Sequence, residues 1–392
     1  MITQEYDIII IGAGCAGMQL MKALLHHPLY DGQRILMLDD GKSIQQSKTW
    51  CFWFKPDSHP YQHLISKKWD QLSIGTRSKY QTKVITPYVY GHIDSTDFFD
   101  FHFSLIQQNP QIHYLEEQVL FTEKREQGFY VSTNKQCYFT QHVFSSSWDH
   151  KMVAEHSRVY LQQQFYGWQI ETAKEVFNES AATLMDFRTE QHQGVSFIYT
   201  LPFSGNTALI EFTSFTDKAF DKQYFENILS KFIHKEFDTT FKVIKCEQAI
   251  IPMTDHMFKR HTSDGAIAIG TAAGMVKPTT GYAFNRILKD SLQLASKILT
   301  GKNITGFEKS RFHFYDNLLL QIIQKDPKNA RFILETLFEK ISFNRILQFL
   351  DEDTNLWQEA VMFAQLPKKS FLLTIPELWK PVPLNNIPAI QS

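Results

Sequence analysis

The sequence predicts an α/β fold in which a Rossmann-like dinucleotide-binding domain carries an inserted antiparallel β-sheet and a helical C-terminal region. Three observations lead there. A short apolar strand near the N-terminus runs straight into a glycine fingerprint and a helix. A second glycine-rich strand-to-helix turn follows far downstream, around Gly270. Between the two the chain is rich in alternating, β-branched and aromatic runs, and from Phe307 onward its apolar spacing becomes helical.

The first element is residues 6–11, a continuous apolar run of the kind buried on both faces of a parallel sheet. It leads into Gly12-Ala13-Gly14-Cys15-Ala16-Gly17, a G-x-G-x-x-G in the strand-turn-helix context that gives the pattern meaning. In such a turn Gly12 serves the tight bend, Gly14 the approach of a pyrophosphate, and Gly17 the packing of helix on strand. Ala16, Leu20, Met21, Leu24 and Leu25 then recur at helical spacing up to Pro28. The free N–H groups and positive dipole end of that helix face the phosphates. A second strand, residues 34–39, ends in Asp39, 22 positions after Gly17 and near the ~20 expected of a ribose-binding carboxylate. An acid there favours a free 2′-hydroxyl, hence FAD or NAD over NADP; the neighbouring Asp40 is the other candidate.

Downstream, residues 264–270 read as another buried strand, followed by Thr271-Ala272-Ala273-Gly274 and Lys277-Pro278-Thr279-Thr280-Gly281-Tyr282. Phe284, Ile287, Leu288 and Leu292 continue at helical spacing, with Thr279 or Thr280 as a suitable N-cap. In a two-dinucleotide-fold flavoprotein the corresponding strand and helix meet the ribityl chain and the flavin pyrimidine. The helix dipole there favours negative charge on the ring. Gly270, Gly274 and Gly281 are expected where backbone meets cofactor.

Composition excludes several classes. The 40 Lys+Arg against 41 Asp+Glu are scattered, so nucleic acid is not expected as a partner. The four cysteines lie far apart without a C-x-x-C pair, which speaks against zinc and a disulfide framework and for a reducing cytoplasmic setting. The fifteen histidines contain no H-E-x-x-H, and no metal site is expected. No uncharged apolar run reaches the ~20 residues that span a bilayer. Glu5 and Asp7 precede the N-terminal apolar run where a signal peptide carries lysines. What stands out is an aromatic content of 14%.

In the middle of the chain, residues 195–201 and 208–213 form a hairpin around 202–207. Ala208, Ile210 and Phe212 share one face, and Leu209, Glu211 and Thr213 the other. Alternation by itself puts Glu211 on the solvent side of this hairpin.

Several motifs, in this order, resemble the lycopene cyclase family of FAD-binding carotenoid enzymes, in particular the bacterial lycopene β-cyclase type. They are the fingerprint from Tyr6 to Gly17, Lys48-Thr49-Trp50-Cys51-Phe52, and Phe165-Tyr166-Gly167-Trp168-Gln169-Ile170. Leu184-Met185-Asp186-Phe187-Arg188, the hairpin bearing Glu211, Ile251-Pro252-Met253-Thr254 and the run from Gly270 to Tyr282 complete the set. The resemblance implies an isomerase of the intramolecular-lyase kind. Its reaction is the redox-neutral, acid-catalysed cyclisation of the ψ-ends of lycopene, or a related acyclic carotenoid, to β-ionone rings via γ-carotene to β-carotene. FAD would act in its reduced form, with NAD(P)H only keeping it reduced. By the same resemblance Glu211 is the acid, Asp186 and Arg188 orient Glu211 or the flavin, Trp50 lines the flavin or the substrate tunnel, and Val119 lies near the adenine. An Asp-Arg pair two apart on a strand is equally often a structural ion pair. The chain departs from the family in two places. Many members carry a second acid where Phe212 stands, and related flavin hydroxylases carry an Asp where Thr271 stands. The enzyme alternative is an FAD-dependent hydroxylase or prenyl-chain reductase acting on an isoprenoid; the non-enzymatic one is a carotenoid- or lipid-binding flavoprotein.

The expected organisation is an FAD-binding domain from residues 1–56, 90–150 and 256–302, a substrate-binding sheet from 57–89 and 151–255, and a helical region from 303–392. Phe312, Tyr315, Leu319 and Ile322 form one helical stripe there, and Ile333, Leu337 and Ile341 another. The tail 368–392 mixes cations such as Lys368, Lys369 and Lys380 with apolar residues such as Phe371, Leu372, Leu373 and Trp379. It suits either a peripheral contact with the inner face of the cell membrane or packing against the rest of the chain.

Overall fold

The structure, a computed structural model, describes residues 4–42, 48–56, 59–192, 194–306 and 310–379. Its first sheet has seven strands. Ile112–Glu116, Ile35–Asp39, Gln4–Ile11 and Cys137–Ser145 lie side by side and parallel, and the short strand Ile267–Ala268 pairs parallel with the last of them. Gly128–Thr133 and Val119–Arg125 continue the sheet as an antiparallel meander. From Ile8 onward the fingerprint strand is apolar because both its faces are covered. Ile8 and Ile10 point into a cluster with the helices Cys15–Leu25 and Phe284–Leu299, and Ile9 points into one with Leu36, Leu38 and Val131.

A second seven-stranded sheet runs in the order Phe241–Thr254, Tyr160–Thr172, Thr207–Thr216, Val195–Pro202, Ala181–Asp186, Gln71–Gly75, Tyr80–Val84. It is antiparallel except where Ala181–Asp186 lies parallel to Gln71–Gly75. That pair joins segments separated by a passage through the first sheet, so no hairpin dictates its direction. A small sheet of Thr49–Phe54, Val89–Asp94 and Lys67–Trp69 completes the sheets among the described residues.

The second sheet has no bare face along its central strands. The helix Lys222–Phe237 covers Ile198, Ile210 and Phe212 on one side. On the other, Leu201, Leu209 and Phe215 join a cluster with the helices Arg311–Lys325, Pro327–Lys340 and Phe343–Leu350. Of the helical stripes, Ile322, Ile333 and Ile341 are buried in this way, and Phe312 is buried against Tyr315 and Phe349. Two further helices follow, Leu356–Ala364 and Lys368–Thr374. No helix of the described residues is long and apolar enough to cross a membrane. Phe307, where the helical spacing was expected to begin, and residues 380–392 of the expected membrane-contacting tail lie outside the described residues.

Candidate active site

A cavity of about 420 Å³ is bordered by three parts of the chain. Gly14, Cys15, Lys48 and Trp50 come from the fingerprint side, Thr280, Gly281, Tyr282 and Phe284 from the second glycine turn, and Tyr199, Glu211 and Glu247 from the large sheet. On the fingerprint side the backbone is packed to the limit. A Cβ on Gly17 would collide with the carbonyl oxygen of Gly12, which is why helix and strand can meet only with glycine there. Gly14 begins the helix Cys15–Leu25 without a side-chain cap, and nothing lies within 4 Å of where its Cβ would stand. A ligand can therefore reach the first-turn N–H groups. Asp39 is drawn into the same turn, its carboxylate accepting from Ala13 N at 2.7 Å and from Gly41 N at 2.8 Å. Burial lowers the pKa of the Lys48 ammonium beside it and pushes the Cys15 thiol up to about 12.

The second turn is fastened from behind. Lys277, only 1% exposed, donates to Asp316 Oδ2 at 3.0 Å and to Glu352 Oε1 at 3.4 Å, and Arg286 also pairs with Glu352. Gly270 presses the turn onto Ala16 of the fingerprint helix, so the two glycine-rich segments meet. In the cavity wall, Thr280 Oγ1 and Gln163 Oε1 are buried without a hydrogen-bond partner. A buried polar orphan costs about 1–3 kcal/mol, which a polar ligand edge would offset.

Glu211 stands in the middle of Thr207–Thr216, directly opposite Tyr199 on one neighbouring strand and Gly167 on the other. It is 8% exposed. Burial, and after it the charge of Glu247, raise its carboxyl well above the usual range, while Thr213 Oγ1, donating to Oε1 at 2.9 Å, opposes the shift. The balance favours the neutral acid. Glu247 comes from the edge strand, where it too lies opposite Gly167. Burial raises its carboxyl as well; Thr49 Oγ1, donating to Oε2 at 2.7 Å, a hydrogen bond with Glu211 and the nearby Lys245 work against that rise. Around Glu211, the Tyr282 hydroxyl lies 3.0 Å from those of Tyr199 and Tyr90. Burial raises all three phenols and the Cys51 thiol, keeping them uncharged.

Of the residues expected at the cofactor, Gly14, Trp50, Thr280, Gly281 and Tyr282 line the cavity. Gly12, Ala13 and Gly17 build the turn beside it. Gly274 closes the second turn against Phe258, next to a neighbouring pocket, and Val119 packs with Ile11, Leu38 and Leu115. Three expectations need correction. Neither Thr279 nor Thr280 caps the second helix, which begins at Phe284 after Ala283 with no side-chain cap. Thr279 Oγ1 instead donates to Asp316 Oδ1 at 2.7 Å, and Lys277 N donating to Tyr282 O closes the turn before the helix starts. Glu211 does not face solvent, because the sheet is covered on both sides. Asp186 and Arg188 do not reach the cavity; they form a two-pronged ion pair, at 2.9 Å and 2.6 Å, that extends to Glu236 on the helix Lys222–Phe237. That is the structural alternative for these two residues.

Sequence reading missed Glu247, Tyr199, Tyr90 and Lys48. For Tyr199 a signal was present, since the hairpin register that pairs Pro202 with Ala208 also pairs Tyr199 with Glu211. For Glu247 the signal was faint: it is an acid in the inward row that continues through Ala249, Ile251 and Met253.

The family model described as "Lycopene cyclase protein" matches residues 7–375. A 104-residue stretch is 31% identical to the lycopene beta-cyclase of Pseudescherichia vulneris, covering 26% of this chain and 27% of that relative. Among solved structures the chain resembles a geranylgeranyl bacteriochlorophyll reductase-like protein from Thermoplasma acidophilum, with a TM-score of 0.59 and 12% identity over 95% of this chain and 99% of that one. A flavoprotein/dehydrogenase from Cytophaga hutchinsonii gives a TM-score of 0.59 at 11% identity, covering 95% and 100%. The halogenase PltM in complex with phloroglucinol and FAD gives 0.60 at 12%, covering 96% and 93%. At such identities the likeness is one of fold, and the fold is that of these flavoprotein neighbours. The family match takes in both glycine turns, the strand that carries Glu211 and most of the helical region, and the chain belongs to the lycopene cyclase family.

Proposed function

We propose that the protein is an FAD-dependent lycopene β-cyclase, an isomerase that closes the ψ-ends of lycopene or a related acyclic carotenoid into β-ionone rings, via γ-carotene to β-carotene. The observation that carries this reading is Glu211, a buried acid held in its neutral form within the cavity that also opens on the fingerprint turn. FAD fits the remaining wall. The open N–H groups at Gly14 suit a pyrophosphate and the unpaired Thr280 Oγ1 and Gln163 Oε1 the polar edge of a flavin, while Asp39, behind the fingerprint turn and outside the cavity lining, is the carboxylate proposed for a ribose. Bound and kept reduced by NAD(P)H, FAD supplies negative charge beside the substrate cation.

The chain's own residues account for the rest. Cyclisation needs a proton on an unactivated alkene carbon, and only a neutral acid delivers one near pH 7. Glu211 meets that need. The cation that follows must be kept from water, which the uncharged Tyr90, Tyr199 and Tyr282 and the apolar Leu201 and Leu209 around the acid accomplish. The ring faces of Trp50, Tyr199 and Tyr282 stabilise it further by up to ~2 kcal/mol each when desolvated. Access from lipid suits the exposed Leu356, Trp357, Leu372 and Leu373, which lie close in sequence to the exposed Lys368 and Lys369. A cytoplasmic enzyme resting on the inner face of the membrane is the corresponding location.

Anaerobic incubation with lycopene, FAD and a reductant, followed by product chromatography and mass measurement, tests the proposal. A cyclic isomer of unchanged mass is expected. A product altered by hydrogen or oxygen would make the protein a reductase or hydroxylase instead.

A further inference from the structure

The cavity adjoins a second pocket of different character. This one, about 510 Å³, is lined by Ser66, Lys67, His92, Asp94, Asp97 and Lys245, and the exposed Thr96 and Asp97 open it to solvent. Thr49, Leu209 and Glu247 belong to the walls of both pockets. Leu209 is apolar, and Thr49 Oγ1 is spent on Glu247 Oε2. Glu247 is therefore the ionisable group shared by the polar pocket and the acid's cavity. Glu247 and Glu211 lie opposite each other across the strand Tyr160–Thr172, over the one position, Gly167, that has no side chain to separate them, and both line the acid's cavity.

We propose that Glu247 is the proton-relay partner of Glu211, so that the two carboxyl groups share one proton and exchange it with solvent in the polar pocket. The inference rests on the cyclase reading. In this relay the shared proton rests on Glu211, whose Oε1 accepts from Thr213, and Glu247, whose Oε2 accepts from Thr49, is its carboxylate partner. When Glu211 protonates the alkene, its O–H bond breaks, a C–H bond forms, and two carboxylates are left facing each other. That like-charge pair is a much stronger base than either group alone. It takes back one proton as the closed ring loses one from carbon, which breaks a C–H bond and restores one O–H bond. No oxidant or reductant enters the balance. Between turnovers Glu247 passes the shared proton to and from water in the polar pocket. It touches the chemistry through Glu211, and so it is a positioning and relay residue.

Glu247→Gln keeps the shape and hydrogen-bonding reach but removes the charge and the proton transfer. It should lower the cyclisation rate by ~10²-fold with the flavin content unchanged. Glu247→Ala should be equally slow, and sodium formate, a small carboxylate able to enter through the polar pocket, should restore it by about tenfold or more. Glutamine at full rate, or alanine unmoved by formate, would overturn the relay. A wild-type enzyme that makes no cyclic product from lycopene would overturn the cyclase reading itself, and the two failures are told apart by that one control.

Discussion

Gly167 and Glu211 sit directly opposite each other on neighbouring antiparallel strands, so closely that a Cβ on Gly167 would stand 3.3 Å from the Cβ of Glu211. It would also stand 3.1 Å from Leu209 Cδ1. Gly167→Ala is expected to leave stability within about 1 kcal/mol, because the gain in strand entropy offsets the crowding. Activity should suffer more. A side chain there pushes on the acid and intrudes between it and Glu247, and a ~10-fold fall in cyclisation is expected, with a larger one for Gly167→Val. Thermal unfolding alongside product chromatography separates the two effects; a well-folded, fully active Gly167→Val would show that the gap is immaterial.

Glu211→Gln is expected to reduce cyclisation by ~10²–10⁴-fold while flavin remains bound. It also makes a signed prediction about stability. The folded carboxyl titrates well above its unfolded value, so the folded state binds the proton more tightly. Its stabilising contribution is complete in acid and is lost as pH rises through the folded pKa. Wild type and variant should therefore converge in acid, and the variant should be the more stable in alkaline buffer. Urea unfolding across a pH series checks the sign.

The first glycine turn was legible because its signal is local: strand, G-x-G-x-x-G, helix and Asp39 follow one another in forty residues of chain. The hairpin of Glu211 was legible for the same reason. Its environment was not, because the burial of that acid depends on Lys222–Phe237 and the C-terminal helices, which cover the sheet from distant parts of the sequence. Glu247 was hidden more deeply still. It reaches Glu211 only through the register of Tyr160–Thr172 against two partners, and register between remote strands leaves no mark in composition or period. Thr279 misled because a threonine before a helix reads as a cap, while its actual partner, Asp316, lies on another helix.

Lys277→Met should destabilise the protein by about 3–5 kcal/mol, since it strands Asp316 in the interior without its cation. Adding Asp316→Leu should recover part of that loss, because removing both charges leaves no buried ion uncompensated. The comparison is made by thermal unfolding. A Lys277→Met protein as stable as wild type would show that this ion pair does not hold the turn in place.

Trp357, 77% exposed, and Leu373, 68% exposed, are apolar surface without a partner in the described chain. If they rest on lipid, Trp357→Ser and Leu373→Ser should each weaken binding to anionic vesicles by about tenfold. Stability should stay within ~0.5 kcal/mol, as for other surface changes. Vesicle flotation measures the first and thermal unfolding the second; undiminished flotation of the double variant would remove this surface from membrane contact.

Lys277 ties the second glycine turn to the C-terminal helical region. Through Asp316 and Glu352 it couples the turn that borders the cavity to the helix Arg311–Lys325 and the segment after Phe343–Leu350. Binding equilibria connected in this way obey reciprocity. If a ligand orders the turn, amide exchange in the helix Arg311–Lys325 should slow with it, and a change that steadies that helix should tighten the ligand by the same factor.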